Sequence, residues 1–239
     1  MENINKTALI TGASSDIGIA ITKKLASMGY NVIIHYFKNK DAALNLEKEI
    51  IHNYCVKTLV IKADISSTNE VNNMINTILK EFPQIDVLIN NAGIAIDNDI
   101  YDKTKEEFLR VLEVNLIGTF LVTKEVSKNM KEGTIINISS TDGIDTYNDL
   151  SMDYCASKAG INSLTKTLAM RFSNLKILAL APNWVKTKSV LEMDPQFLKN
   201  ELARISQKEL LTTEEVANKI EELIIDDNIT SGNIIRLDK

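Results

Sequence analysis

A glycine-bearing loop, Thr11-Gly12-Ala13-Ser14-Ser15-Asp16-Ile17-Gly18, joins a short apolar run to an amphipathic one, and this placement narrows the folds open to the chain. Ala8-Leu9-Ile10 reads as a buried strand, and Ile17 to Met28 as a helix with Gly29 as its C-terminal stop. Gly12 permits a tight turn, and Gly18 allows close backbone approach at the helix start. A strand that turns directly into a helix leaves backbone amides free at the positive helix end, where an anion can sit. Two glycines alone also describe an ordinary strand-helix turn. As the first junction of an alternating chain, the loop points to something more specific.

That alternation continues. Asn31 to His35 is the next strand, Lys40 to His52 a polar-faced helix, Thr58 to Ile61 a third strand, Asn69 to Lys80 a helix and Asp86 to Ile89 a fourth strand. Three crossovers by residue 86 predict a parallel sheet. A long helical region from Glu106 to Asn129, interrupted in pattern at Gly118, precedes a fifth strand at Thr134 to Ile138. Met152 to Phe172 is a helix, Leu175 to Leu180 a sixth strand ending at Pro182, and Asn233 to Leu237 a seventh. Lys186 to Leu211 is less regular and partly helical, and Thr213 to Ile225 is a helix capped by Thr212 or Thr213. No linker rich in Pro, Gly or Ser divides the chain. The expectation is one domain over residues 1–239: an α/β doubly wound, mostly parallel sheet with helices on both faces.

Composition matters mainly for what it excludes. The net charge of −5 comes from 32 acidic and 27 basic residues mixed along the chain, without the basic block that nucleic acid or an anionic membrane would call for. The residues from Met1 to Lys6 run straight into the first strand without a signal-peptide pattern, and no apolar run approaches the ~20 residues of a membrane span. Cys55 and Cys155 fit neither a zinc knuckle nor a redox pair, so the expected compartment is the reducing cytoplasm. His35 and His52 give a histidine-built metal site almost nothing to work with, and no metal is expected.

The loop resembles the Thr-Gly-x-x-x-Gly-x-Gly signature of the classical short-chain dehydrogenase/reductase family, with Asp16 in place of the middle glycine. Asn90-Asn91-Ala92-Gly93, Asp64 after the third strand, Tyr154-x-x-x-Lys158, and Ala181-Pro182-Asn183-Trp184-Val185-Lys186-Thr187 extend the resemblance over nearly the whole chain. It implies a Rossmann-type fold and a nicotinamide dinucleotide cofactor. The implied cofactor-binding residues in the loop are Gly12, Ser14, Ser15, Asp16, Ile17 and Gly18. Tyr36, Lys38, Asp64 and Ile65 are implied after the next two strands, with Asp64 at the adenine. Asn91, Ala92, Gly93, Pro182, Val185 and Thr187 complete the set, together with Tyr154 and Lys158. The Asp16 carboxylate either turns away to cap the following helix or weakens cofactor affinity; helix N-termini favour the first. The asparagine at 183 replaces a family glycine in a turn that needs unusual backbone angles. Trp184 is either a core or a lid aromatic.

His35-Tyr36-Phe37-Lys38 ends the second strand without the acid that would receive the ribose hydroxyls of NAD, and Lys38 could meet a 2′-phosphate, so NADP(H) is favoured over NAD(H). Ser15 stands where the family carries an arginine, which leaves the phosphate clamp incomplete. Tyr154 and Lys158, four apart, share one helix face. The resemblance makes Tyr154 the proton donor to a carbonyl oxygen, Ser140 its partner with Ser139 as the neighbouring alternative, Lys158 the ribose anchor, and Asn115 the holder of a relay water. Cys155 is helix packing. Bringing a phenol from its reference pKa near ~10 toward ~7 takes about 4 kcal/mol of preferential stabilisation of the phenolate, which a nearby ammonium and a positive nicotinamide can supply.

Within the family the closest pattern is the 3-oxoacyl-acyl-carrier-protein reductase branch, which reduces a β-keto thioester. Lys128, Lys131, Arg171 and Lys176 are candidate contacts to the acidic carrier. The alternatives are another small ketone, sugar, steroid or modified amino group as substrate, or a non-catalytic dinucleotide-binding protein. Residues 186–211 are the expected substrate lid. A homotetramer, or at least a homodimer, is expected, with the helices near Glu106 to Asn129 and Met152 to Phe172 packing across subunits.

Overall fold

A computed structural model describes residues 6–239, so the N-terminal residues 1–5 lie outside the described part. Seven strands form one parallel sheet: β1 (Thr7–Ile10), β2 (Asn31–Tyr36), β3 (Thr58–Lys62), β4 (Val87–Asn90), β5 (Gly133–Ile138), β6 (Leu175–Pro182) and β7 (Ile234–Leu237). Their spatial order is β3-β2-β1-β4-β5-β6-β7, and every pairing is parallel. The order reverses direction between β1 and β4. A crevice opens there, beyond the carboxyl ends of the strands, which is where ligands of doubly wound sheets bind.

The central strands read as unbroken apolar runs because both faces of the sheet are covered. Ala8, Ile10, Val32, Ile34, Val87 and Ile89 join one core with α1 (Asp16–Ser27), α2 (Lys40–Asn53) and α9 (Thr213–Ile225). Leu9, Ile33, Leu88 and Ile135 join a second core against α3 (Thr68–Glu81) and α5 (Thr119–Ser127). Successive residues on each strand therefore serve opposite cores, as the twofold strand period requires.

The long helical region expected around Gly118 is three pieces: α4 (Lys105–Leu112), a π-helical stretch (Glu113–Gly118) and α5. A Cβ on Gly118 would lie 2.8 Å from the Ile65 side chain, so a glycine lets this helix close onto the loop after β3. Asn115 sits inside the π stretch, a form that recurs at functional sites. The helix α6 (Met152–Arg171) carries Tyr154 and Lys158. Residues 186–211 contain α7 (Lys188–Leu191) and α8 (Pro195–Arg204), in line with the expected partly helical segment. Among the described residues no helix is long and apolar enough to cross a membrane.

Candidate active site

The loop after β1 is built to bring a ligand close to the backbone. Gly12 has φ +63°, and a Cβ there would lie 2.8 Å from Ala92 Cα. A Cβ on Gly18 would run into the Gly12 carbonyl oxygen and lie 2.8 Å from Ala13 Cα. Both positions exclude larger side chains for steric reasons. Ser15 caps α1: its Oγ accepts from Gly18 N at 3.2 Å and donates to Gly12 O at 2.9 Å. The amides of Asp16 and Ile17, at the first turn of α1, have no acceptor among the described residues and stay free for an anion. A dinucleotide's phosphates fit this cradle.

Two side chains hold the loop in shape. The amide of Gly12 donates to His35 Nδ1 at 3.1 Å, so the ring proton lies on Nε2, which donates to Ala63 O at 3.0 Å. Burial holds the His35 pKa down at about 4, against the Ala63 hydrogen bond and the Asp64 charge, so the ring is neutral at pH 7. Asn91 Nδ2 donates to Thr11 O and Gly12 O, both at 3.0 Å, and Thr11 Oγ1 accepts from the amides of Asn91 and Ala92. One residue earlier, Asn90 Nδ2 donates to Thr123 Oγ1 at 2.9 Å and Asn137 Oδ1 at 2.8 Å, tying β4 to α5 and β5. Sequence reading did not single out His35 as a loop support; its place opposite a glycine loop on the neighbouring strand was the available signal.

Asp16 departs from the expected role. Ser15 caps the helix, whereas Asp16 Oδ2 accepts from the backbone amide of Lys188 at 2.6 Å. The carboxylate that replaces a family glycine thus joins the loop to the start of α7 within 186–211. Asn183 also differs from expectation, because the described non-glycine residues with positive φ are Tyr147 and Ser206. The turn at Asn183 needs no left-handed backbone. Instead its Oδ1 accepts from Thr141 Oγ1 at 3.2 Å and Trp184 N at 3.1 Å, and its Nδ2 donates to Asp238 at 3.3 Å.

A cleft of about 340 Å³ opens beside this loop. Of the residues expected to hold a cofactor, Ser15, Ile17, Asn91, Gly93, Pro182, Val185 and Thr187 line it. Ser140, Tyr154 and Lys158 line the same cleft, as do Trp184 and Met193. Trp184 is therefore a cleft aromatic. The remaining expected cofactor contacts sit elsewhere. Tyr36 and Ile65 are buried in the two cores, and Lys38 is exposed after β2. Asp64 accepts from Ser66 N at 2.9 Å and Ser66 Oγ at 2.6 Å, and from Arg110 Nη2 at 3.1 Å. Partial burial opposes its ionisation, yet these Ser66 and Arg110 contacts hold its pKa below the usual carboxylate value.

The Lys158 ammonium donates to Ile138 O at 2.7 Å and lies 5.3 Å from the Tyr154 ring centre. Burial lowers its pKa to about 8, although Asp142 pulls the other way. Ser140 lines the cleft with Tyr154 and acts to lower the phenol's pKa, and its Oγ accepts from Asp142 N at 3.1 Å. Ser139, the neighbouring alternative, is buried and donates to Lys158 O, which leaves Ser140 as the hydroxyl beside the phenol. Asn115 lies behind the cleft wall: its Oδ1 accepts from Ile94 N at 2.8 Å, and its Nδ2 donates to Ile94 O and Ser157 Oγ. A Cβ on Gly93 would sit 3.3 Å from Asn115 Oδ1 and 3.7 Å from Lys158 Nζ, so the two side chains flank Gly93.

In the chain by itself the Tyr154 pKa is raised, whereas the expected lowering draws on the positive nicotinamide as well as on Lys158. Burial is the main cause, with the charges of Asp142 and Asp97 adding to it and the Ser140 hydrogen bond opposing. The chain alone thus keeps the phenol protonated, in the form that can donate a proton. Cys155 holds the loop before α6, its Sγ meeting Asn148 N at 3.4 Å and Asn148 O at 3.6 Å. Burial raises its pKa, which leaves it an unreactive thiol.

Residues 6–196 match the family model described as short chain dehydrogenase. The chain is 37% identical over 228 residues to a 3-oxoacyl-[acyl-carrier-protein] reductase of Synechocystis sp., covering 92% of this chain and 90% of that protein. It is 30% identical over 220 residues to glucose 1-dehydrogenase 2 of Bacillus subtilis, covering 89% and 84%. Among solved structures, a dehydrogenase/reductase from Sinorhizobium meliloti superposes with a TM-score of 0.91 at 25% identity, over 98% of this chain and 93% of that one. Sheet order, glycine loop, cleft and extent of similarity agree, and the chain belongs to the short-chain dehydrogenase family of oxidoreductases acting on the CH–OH/C=O pair.

Proposed function

We propose that this protein reduces a carbonyl compound to a secondary alcohol with NADPH, using Tyr154 as the proton donor. The observation that carries this reading is that Tyr154, Ser140 and Lys158 line one cleft beside the glycine loop, with burial favouring the protonated phenol. Gly12, Ser15, Ile17 and Gly18 would cradle the phosphates, with Ser14 and Asp16 at the loop's edge. Asn91, Ala92, Gly93, Pro182, Val185 and Thr187 would border the nicotinamide, which supplies the hydride when bound. Ser140 holds the carbonyl oxygen while Tyr154 passes its proton to that oxygen as charge develops there. Lys158, fixed by Ile138 O, anchors the ribose and steadies the phenolate left behind. Asn115 keeps Ile94 and Gly93 in place beside Lys158 and holds the relay path.

The preference for NADPH is supported by the end of β2, where buried His35 and Tyr36 give way to exposed Lys38 with no carboxylate. Lys62 Nζ, 6.0 Å from the Phe37 ring centre, adds a second cation at that end. Asp64 and Ile65 would edge the adenosine. A kcat/KM for NADH equal to that for NADPH would overturn the preference.

Two substrate classes have separate support. Similarity to the acyl-carrier-protein reductases favours a 3-oxoacyl thioester. A small free carbonyl compound that carries a polar group is supported by Asp97, Asp142, Asn148 and Ser151, which line the cleft together with the apolar Ile94, Ala95, Trp184, Val190 and Met193. Residues 186–211 act as a lid over either substrate. Comparing NADPH oxidation rates on an acyl-carrier β-ketoester and on free ketones separates the two: the cleft predicts faster turnover of the free compound. The protein assembles as a homodimer or homotetramer through the exposed Leu109, Ile117 and Phe120 along α4–α5, and a sedimentation experiment giving only monomer at micromolar concentration would contradict this.

A further inference from the structure

The cleft that holds Ser140 and Tyr154 also holds two carboxylates that the reduction does not use. Asp142 lies on the short 3₁₀ turn after β5, two residues from Ser140, and Asp97 on the loop after β4. Each is held in place by a hydroxyl. Thr146 Oγ1 donates to Asp142 Oδ1 at 2.6 Å, and Ser151 Oγ donates to Asp97 Oδ1. Neither forms an ion pair among the described residues. The nearby cations are engaged elsewhere: Arg204 is clasped by Glu201 at 2.7 Å and donates to Thr146 O, Lys103 pairs with Asp153 at 3.0 Å, and Lys158 donates to Ile138 O. Both carboxylates line the same cleft as Tyr154, and their charges raise the pKa of its phenol.

Carboxylates that form no ion pair are costly in a partly closed cleft, even where Lys158 and Arg204 act on Asp142 through space, and an apolar ligand laid over them would add to that cost. A ligand that brings a cation removes it, and a charge-assisted hydrogen bond also fixes its orientation. We propose that the substrate is an amino ketone, a carbonyl compound with a protonated amine a short distance from the carbonyl carbon, and that Asp142 and Asp97 receive the ammonium while Ser140 and Tyr154 receive the carbonyl oxygen. This rests on the carbonyl-reductase reading above. The step balances as a reduction: one hydride from NADPH forms the new C–H bond, one proton from Tyr154 forms the O–H bond, and the C=O π bond breaks. The products are an amino alcohol and NADP⁺, and the amine is unchanged.

The test is steady-state NADPH oxidation with a short series of amino ketones, aminoacetone first, against butanone and hydroxyacetone, which present a methyl or a hydroxyl in place of the ammonium. The parent should prefer aminoacetone over both by about tenfold or more in kcat/KM, the selectivity expected of one charge-assisted contact. In Asp142→Asn, Asp97→Asn and the double variant this ratio should fall stepwise toward one, through a rise in KM for the amino ketone. Equal rates on the three compounds, a preference for hydroxyacetone, or a ratio that survives in the double variant would overturn the assignment. Turnover of butanone without an amine preference sinks only this inference, whereas oxidation of NADPH by none of the carbonyl compounds sinks the reductase reading as well.

Discussion

The cofactor side and the substrate side of the cleft are built in different ways. On the cofactor side, space is made by removing side chains: Gly12 and Gly18 leave room where any Cβ would strike backbone, and His35 and Asn91 hold the emptied loop in shape. On the substrate side, space is shaped by adding side chains: Asp97, Asp142 and Trp184 come from three separate loops. A surface made by absence admits few sequences and serves one shared ligand. A surface made by addition can change residue by residue, so it can set what this chain distinguishes from its relatives.

The sharpest break in that comparison is Gly18→Val. Added atoms would strike the Gly12 carbonyl, so the loop must shift, and dinucleotide affinity should fall by ~10²-fold or more in a titration of NADPH fluorescence. Unchanged affinity would show that the loop does not need its present shape.

The second break is with pH. The His35 pKa is about 4 in the folded chain against the ordinary 6.5, so between these values the unfolded chain binds more protons. The stabilisation is fully present above pH ~6.5 and is lost as pH falls toward ~4, amounting to roughly 3 kcal/mol over that window. Urea midpoints should therefore fall more steeply with acid in the parent than in His35→Gln, which has nothing to titrate there. Parallel curves would remove His35 from this role.

The smallest effect tests the one place where an added side chain intrudes on the emptied half. Asp16→Gly removes a negative charge beside the free amides of the loop and releases Lys188 N. NADPH should bind about threefold to tenfold more tightly. Weaker binding would mean that the link to Lys188, and not the charge, governs the cofactor side.

The same difference explains how much could be read in advance. The seven strands and the Tyr154–Lys158 pair were legible because short apolar runs and fixed motif spacings are local properties. Helix ends were close but not identical, as with α3 at Thr68–Glu81 where Asn69 to Lys80 was expected, since capping decides the last turn. The bond from Asp16 to Lys188 spans 172 positions, and no local pattern carries it. Asn183 was read as a turn residue because it stands in place of a family glycine, whereas its side chain stitches Thr141 to Asp238, a contact that exists only after β5, β6 and β7 are side by side. The raised Tyr154 pKa was equally hidden, because it depends on burial and on Asp142 and Asp97 arriving from other loops.

Tyr154 stands at the junction of the two halves, and its protonated phenol is the central claim. The most direct measurement is single-turnover NADPH oxidation by the parent and by Tyr154→Phe on one carbonyl substrate that the parent reduces, from about pH 6 to about pH 9, with cofactor affinity titrated in parallel. The variant keeps the ring and loses only the hydroxyl, so NADPH affinity should change little while the hydride-transfer rate falls by at least ~10²-fold across that range. A variant that transfers hydride at near-parental rates would contradict the account, and the proton would then have to come from Ser140 or from water.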